Sequence, residues 1–199
     1  MTFRLIPVAA IWLLSATALP AAADEANVLL GNKYGELIYT RHDDMLGVPD
    51  ASASVALLMT EDNNTLGHGT FATEVLPGAL PRFTFDVGAR LYLMNLVDPD
   101  DDVMGIGFGA GARFRAPVEW LPLFERYPLH LAASIYFAPE ITTSGADIDV
   151  LDLHVIRGEL ELSPNIDGLV GLRTFEVDRA VGDDDIVDDR LYVGIRVRF

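Results

Sequence analysis

The side chains with the chemistry for nucleophilic catalysis are few: His42, His68, His130 and His154, with Ser134, in 199 residues that contain no cysteine. A Ser–His–acid set needs the nucleophile within hydrogen-bonding reach of its base, and the base held by a third group. Ser134 and His130 lie four residues apart in one alternating run, on one face but about 13 Å apart at the rise of a strand. His154, in a neighbouring run, is the histidine able to approach Ser134, with Asp152 or Glu140 as orienter. Such a set would suit a lipid-modifying barrel enzyme, yet no spacing ties these residues into a unit. The expectation is no catalytic residue and no enzyme.

A second set is larger and more ordered. Arg90, Arg113, Arg115, Arg157, Arg173, Arg196 and Arg198 stand inside alternating runs, together with Asp86, Asp152, Glu159 and Glu161. Lys33 is the only lysine. Most other acids crowd into the short runs "RHDDM", "TEDNN", "DPDDD", "GADID" and "GDDDIVDD". Opposite charges on one strand face can pair and rigidify an interior. Acids in runs make solvated loops that keep an apolar protein from self-associating. Asp98, Asp100 and Asp102 have the spacing of a calcium loop, but Val103 stands where glycine is required and no bidentate Glu follows in register. With Asp101, and with Asp183, Asp184 and Asp185, they form candidate cation-binding loops. No resident metal and no cofactor is expected.

The elements that must position these charges are strands. From Tyr34 on, the chain reads as alternating runs separated by turn residues, with almost no helical periodicity. The runs are Tyr34–Arg41, Ala51–Glu61, Leu66–Val75, Phe83–Leu96, Met104–Arg115, Leu129–Ala138, Asp149–Leu162, Ile166–Val177 and Arg190–Phe199. In "MGIGFGAGARFR" one face carries Met104, Ile106, Phe108, Ala110, Ala112 and Phe114; the other carries four glycines, Arg113 and Arg115. "RFTFDVGARLYLM" repeats the pattern, with Phe83, Phe85, Val87, Leu91 and Leu93 opposed to Asp86, Gly88 and Arg90. Glycine and arginine together suit a crowded barrel interior. A soluble lipocalin-like barrel or sandwich would turn the apolar face inward; here it points outward, as in a membrane β-barrel. Strands of this length match the roughly 9–11 tilted residues that cross a bilayer. One run breaks phase: Leu151, Leu153 and Val155 share a face, whereas Ile156, Leu160 and Leu162 share the other. A β-bulge near Val155–Ile156 would keep Asp152, His154, Arg157, Glu159 and Glu161 inward; the alternative is a longer strand leaving the membrane.

The first residues are of another kind. Arg4, the apolar "LIPVAAIWLLSATAL" and the small Ala21-Ala22-Ala23 before Asp24 read as a secretory signal peptide over 1–23. Half the residues are hydrophobic and the net charge is −16, which argues against nucleic acid, whose phosphates repel such a chain. Export without cysteine means no disulfide staples.

The stretches "YFAPEITTSG" (136–145), "GLRTFEV" (171–177) and "DDRLYVGIRVRF" (188–199), with "DVGARLYL" before an acidic loop and a glycine-alternating strand, resemble the YfaZ family of Gram-negative outer-membrane proteins. The similarity covers most of the chain from Ala51. Thr174 after Arg173 departs from the aromatic that members tend to carry there. The resemblance implies an outer-membrane β-barrel, porin-like at best, and carries over no catalytic residue. It also implies a role for the last run: Val193, Ile195, Val197 and the terminal Phe199 match the alternating, aromatic-ended strand that the outer-membrane barrel assembly machinery reads as a sorting signal.

The sequence thus predicts an all-β chain: a signal peptide over 1–23, an N-terminal segment over 24–50, and an antiparallel transmembrane barrel over 51–199. Bacterial single-chain barrels use even strand numbers, so eight strands are expected. Ten is the alternative, if Tyr34–Arg41 pairs with a further strand in Asn27–Gly31. With Phe199 in the periplasm, the acidic runs fall outside, where cations held by them could bridge to lipopolysaccharide phosphates. The segment "APVEWLPLFERYP" falls on the periplasmic side as an interfacial aromatic anchor. Partners are then outer-membrane lipid and lipopolysaccharide. An eight-stranded lumen filled by paired charges predicts a structural or surface-interaction role; a narrow porin-like channel is the alternative.

Overall fold

The computed structural model describes residues 23–45, 47–61, 64–75, 80–97, 100–120, 122–144, 148–179 and 185–199. The expected signal peptide, up to residue 22, lies outside them, as do Asp98, Asp183 and Asp184. The strands are β1 (Ala23–Gly31), β2 (Tyr34–Met45), β3 (Val48–Thr60), β4 (Thr65–Val75), β5 (Phe83–Val97), β6 (Asp100–Arg115), β7 (Leu129–Pro139), β8 (Thr143–Ser144), β9 (Ile148–Ser163), β10 (Ile166–Arg179) and β11 (Asp185–Arg198). All but the two-residue β8, which adds to the edge of β6, form one closed antiparallel ring. The last strand pairs with the first, and Asp24 and Phe199 exchange both backbone hydrogen bonds at 3.2 and 3.0 Å.

The barrel therefore has ten strands, not eight, and begins at Ala23 rather than Ala51. Asn27–Gly31 does pair with Tyr34–Arg41, inside the longer β1 and β2. Asp100, Asp101 and Asp102 open β6, and Asp185 opens β11; they are strand residues rather than a loop. Of the two readings of the phase break in β9, the bulge near Val155–Ile156 is absent. Its pairing with β7 and β10 runs unbroken through Val155 and Ile156. Parity is constant along β9, so Leu151 and Leu153 are buried inside, while Asp152 and His154 share the outer face with the exposed Ile156.

Alternation sets both surfaces. Val28, Leu37, Val55, Leu91, Phe108, Ile135, Ile156, Leu172 and Ile195 are exposed on the outer wall, at least one from each of nine strands. The connections β2–β3, β4–β5, β6–β7 and β9–β10 lie with Asp24 and Phe199 at one end of the barrel, here the base; the other connections lie at the top. The β6–β7 connection carries a 3-10 turn, Val118–Trp120, and a single helical turn, Leu123–Arg126. Trp120 packs on Phe114 (5.6 Å between ring centroids), Phe114 on Phe83 (4.8 Å) and Phe83 on Phe85 (5.9 Å), an aromatic cluster at the base of the outer wall.

Glycine permits close approach on the inner face. A Cβ at Gly171 would lie 2.6 Å from the Tyr192 ring and 2.7 Å from the Ile156 carbonyl oxygen, whereas one at Gly67 would meet nothing nearer than 3.8 Å. Gly171→Ala is therefore expected to destabilise the barrel by about 1–3 kcal/mol, the usual cost of overpacking, and Gly67→Ala to leave it unchanged. The denaturant midpoint of the refolded barrel in detergent micelles measures both.

Candidate functional site: the barrel lumen

The lumen is built in three levels. Nearest the top it is apolar: Leu29, Tyr34, Leu58, Leu66, Met94, Val103, Leu151 and Val177 fill it, and Tyr92, Phe175 and Tyr192 continue the packing below them. Tyr92 and Phe175 stack at 5.9 Å. Both are at most 1 % exposed, and among the described residues the space beside them is a gap of about 10 Å³ whose lining includes Leu58, Leu66, Leu153 and Phe175.

Two ionic knots lie beneath. In the first, Glu36 of β2 accepts from Arg173 Nη1 of β10 at 2.5 Å, and its other oxygen lies 3.2 Å from His68 Nε2 of β4. The Arg173 guanidinium also covers the Tyr34 ring at 4.3 Å. In the second, Arg196 of β11 donates to both Glu159 oxygens (2.8 and 3.1 Å), to Asp167 (3.3 Å) and to Asn27 (3.1 Å), with Glu25 at 3.4 Å. Glu159 takes Arg113 at 2.6 Å and Arg157 at 2.7 Å as well, and Arg198 binds Asp167. One fully buried carboxylate thus gathers three guanidinium groups. Hydrogen bonds to the charged groups are what make a buried ion cluster tolerable; here, among the described residues, Arg113 Nε and Arg198 Nε remain without a partner.

Below the first knot and beside the second, whose Arg196, Glu159, Arg157 and Arg113 form part of its wall, the lumen widens into a cavity of about 350 Å³ that opens at the base. Its lining includes Arg90, Asp86, Glu74, Tyr136, Ser134 and Thr70. Arg90 Nε donates to Thr70 Oγ1 at 2.8 Å, and its guanidinium lies 3.9 Å over the Tyr136 ring.

Of the expected lumen charges, Arg113, Arg157, Glu159, Arg173, Arg196 and Arg198 come together in the two knots. Asp86 and Arg90 line the cavity. Glu161 shares the Glu159 face at the base end of β9, and Arg115 is exposed at the base end of β6. Asp152 is a correction: it sits on the outer face, 3.9 Å from His154. That placement also separates His154 from Ser134, because the strand partner of His154 is Ile135 and that of Ser134 is Val155. Glu36, Asn27, Glu25 and Asp167 were missed by the reading of the sequence. Asp167 shares the parity of Arg173 in "IDGLVGLR", and Glu36 is opposed to the outward Leu37 once "YGELIYT" is taken as a barrel strand. Val193, Ile195, Val197 and Phe199 are all exposed on the outer wall of the closing strand.

Glu159→Gln removes the anion that holds three arginines. It is expected to lower unfolding stability by about 3–5 kcal/mol, as for other broken buried pairs. Glu61→Gln, which breaks the exposed 3.8 Å pair with Lys33, is expected to cost less than about 1 kcal/mol. Denaturant titration of the two variants side by side checks the contrast.

No protein-family model matches the chain, and no curated protein matches it. Among solved structures, a bacterial polysaccharide outer membrane secretin matches at 14% identity with a TM-score of 0.42, over 86% of this chain and 57% of that one. The chain spans little more than half the length of that structure.

Proposed function

We propose that this chain is a small integral outer-membrane β-barrel whose lumen is closed to diffusion, with a structural or surface-interaction role. The observation that carries the reading is the pairing of an apolar outer wall with an upper lumen packed by buried side chains such as Tyr92, Phe175, Leu151 and Val177. A wall exposing Leu172, Phe108 and Ile195 in water would be one large apolar patch, of the kind that marks a membrane or partner surface. A closed barrel is the sheet that satisfies every backbone group in lipid, and β1–β7 with β9–β11 form one. The Phe83, Phe85, Phe114 and Trp120 cluster suits the membrane–water interface.

On this reading the base faces the periplasm and the top of the barrel faces out, toward lipopolysaccharide. Export by a cleaved signal peptide, insertion by the barrel assembly machinery through Val193–Phe199, and kinship with the YfaZ family belong to the same proposal; the kinship rests on the quoted sequence stretches alone.

The test is single-channel recording of the chain from Asp24 onward, refolded into planar bilayers, with heat-modifiable gel mobility to confirm folding. The expected outcome is a folded barrel without conductance steps. Reproducible steps from the folded barrel would refute the sealed lumen and favour the narrow channel.

A further inference from the structure

The cavity at the base falls within the volume range of small-molecule sites, about 300–1,000 Å³, and its charges are ordered by depth. Toward the mouth, Glu74 of β4 and Asp86 of β5 are direct cross-strand partners, and both line the cavity. Like charges so placed repel. Among the described residues neither forms an ion pair. The Asp86 carboxylate lies over Gly111, where a Cβ would come within 2.5 Å of it. Four residues deeper on the same strand face is Arg90, which also forms no ion pair among the described residues; Thr70 and the Tyr136 ring hold it in place. Its neighbours Arg113, Arg157 and Arg196 are by contrast engaged by Glu159. His68, more than nine-tenths buried, also lines the cavity, and its Nδ1 has no hydrogen-bond partner.

We propose that this cavity binds a short zwitterionic peptide of two or three residues, with its carboxylate inward on Arg90 and its ammonium outward between Asp86 and Glu74. Asp86 lies in the field of Arg157 and Arg90 without forming an ion pair with either; an anion alone would serve only the guanidinium, and a cation alone only the two carboxylates. A ligand with both charges serves both ends. The span agrees: Asp86 and Arg90 are about 13 Å apart along the strand, and two or three extended residues cover about 7–10 Å, with the side chains reaching the remainder. The walls offer hydroxyls from Thr40, Ser52, Ser54 and Ser134 that can both donate to and accept from peptide groups.

Isothermal titration of the folded, micelle-bound barrel with trialanine, N-acetyl-trialanine and trialanine amide tests this. Trialanine is expected to bind, and each cap to weaken binding roughly tenfold or more, the worth of one hydrogen-bonded charge. Arg90→Gln is expected to lose the preference for trialanine over its amide and keep the preference over the acetylated peptide. Asp86→Asn is expected to do the reverse. No binding of trialanine by a barrel shown to be folded by its gel mobility, or equal binding of all three peptides, would overturn the proposal. Neither outcome bears on whether the barrel conducts, so the two readings fail separately.

Discussion

Closure of the hydrogen-bonded ring is the constraint from which the rest follows. Once β11 pairs with β1, every strand has two neighbours and every residue points either out or in. The outer positions then share one environment, and all are free to be apolar. The inner positions face a lumen whose width is set by strand number. Ten strands enclose more space than the eight whose interior side chains just fill, so paired charges alone do not occupy it. Aliphatic and aromatic side chains fill it near the top, two ionic knots occupy part of the cross-section below them, and the rest of the lower lumen is left hollow.

The knots join strands that are not neighbours. Glu36 and Arg173 connect β2 to β10, and Glu159 and Arg196 connect β9 to β11 across β10. A slip of one residue in any of these strands would turn a charge onto the outer wall and break its pairs together. Buried ion pairs seldom add much net stability over an apolar filling; here they fix register, which apolar packing of interchangeable leucines and valines specifies poorly.

Most of this was legible in alternation. Nine of the ten barrel strands appear in the sequence as runs within a few residues of their ends, and the inward arginines stand out because glycines accompany them. β1 was the difficult strand. Glu25, Asn27 and Leu29 face in while Ala26, Val28 and Leu30 face out, but the strand abuts the expected apolar leader, and the sequence offered Asn27–Gly31 only as the extra strand of the ten-strand alternative. The other error was one of inference rather than detection. The break in β9 is a reversal of polarity along a strand of constant geometry: Leu151 and Leu153 belong to the apolar filling, while Asp152 and His154 lie on the outside. A periodicity argument that assumes one polar face for the whole strand reads that reversal as a shift in register. The same assumption hid the apolar upper lumen, to which Phe175 and Val177 contribute from the arginine face of β10.

The absence of cysteine from the chain makes one direct measurement straightforward. Single cysteines carrying nitroxide labels can be placed at Val170 and Leu172, at Leu169 and Phe175, and at Ser54 and Thr70, in barrels reconstituted into lipid vesicles. Accessibility to oxygen, which concentrates in lipid, is then compared with accessibility to a water-soluble nickel complex. The proposed membrane reading predicts high oxygen accessibility at Val170 and Leu172, little of either reagent at Leu169 and Phe175, and nickel access at Ser54 and Thr70. Nickel reaching Leu169 and Phe175 as readily as Ser54 would mean an open pore. Nickel rather than oxygen at Val170 and Leu172 would mean that the apolar wall does not lie in lipid.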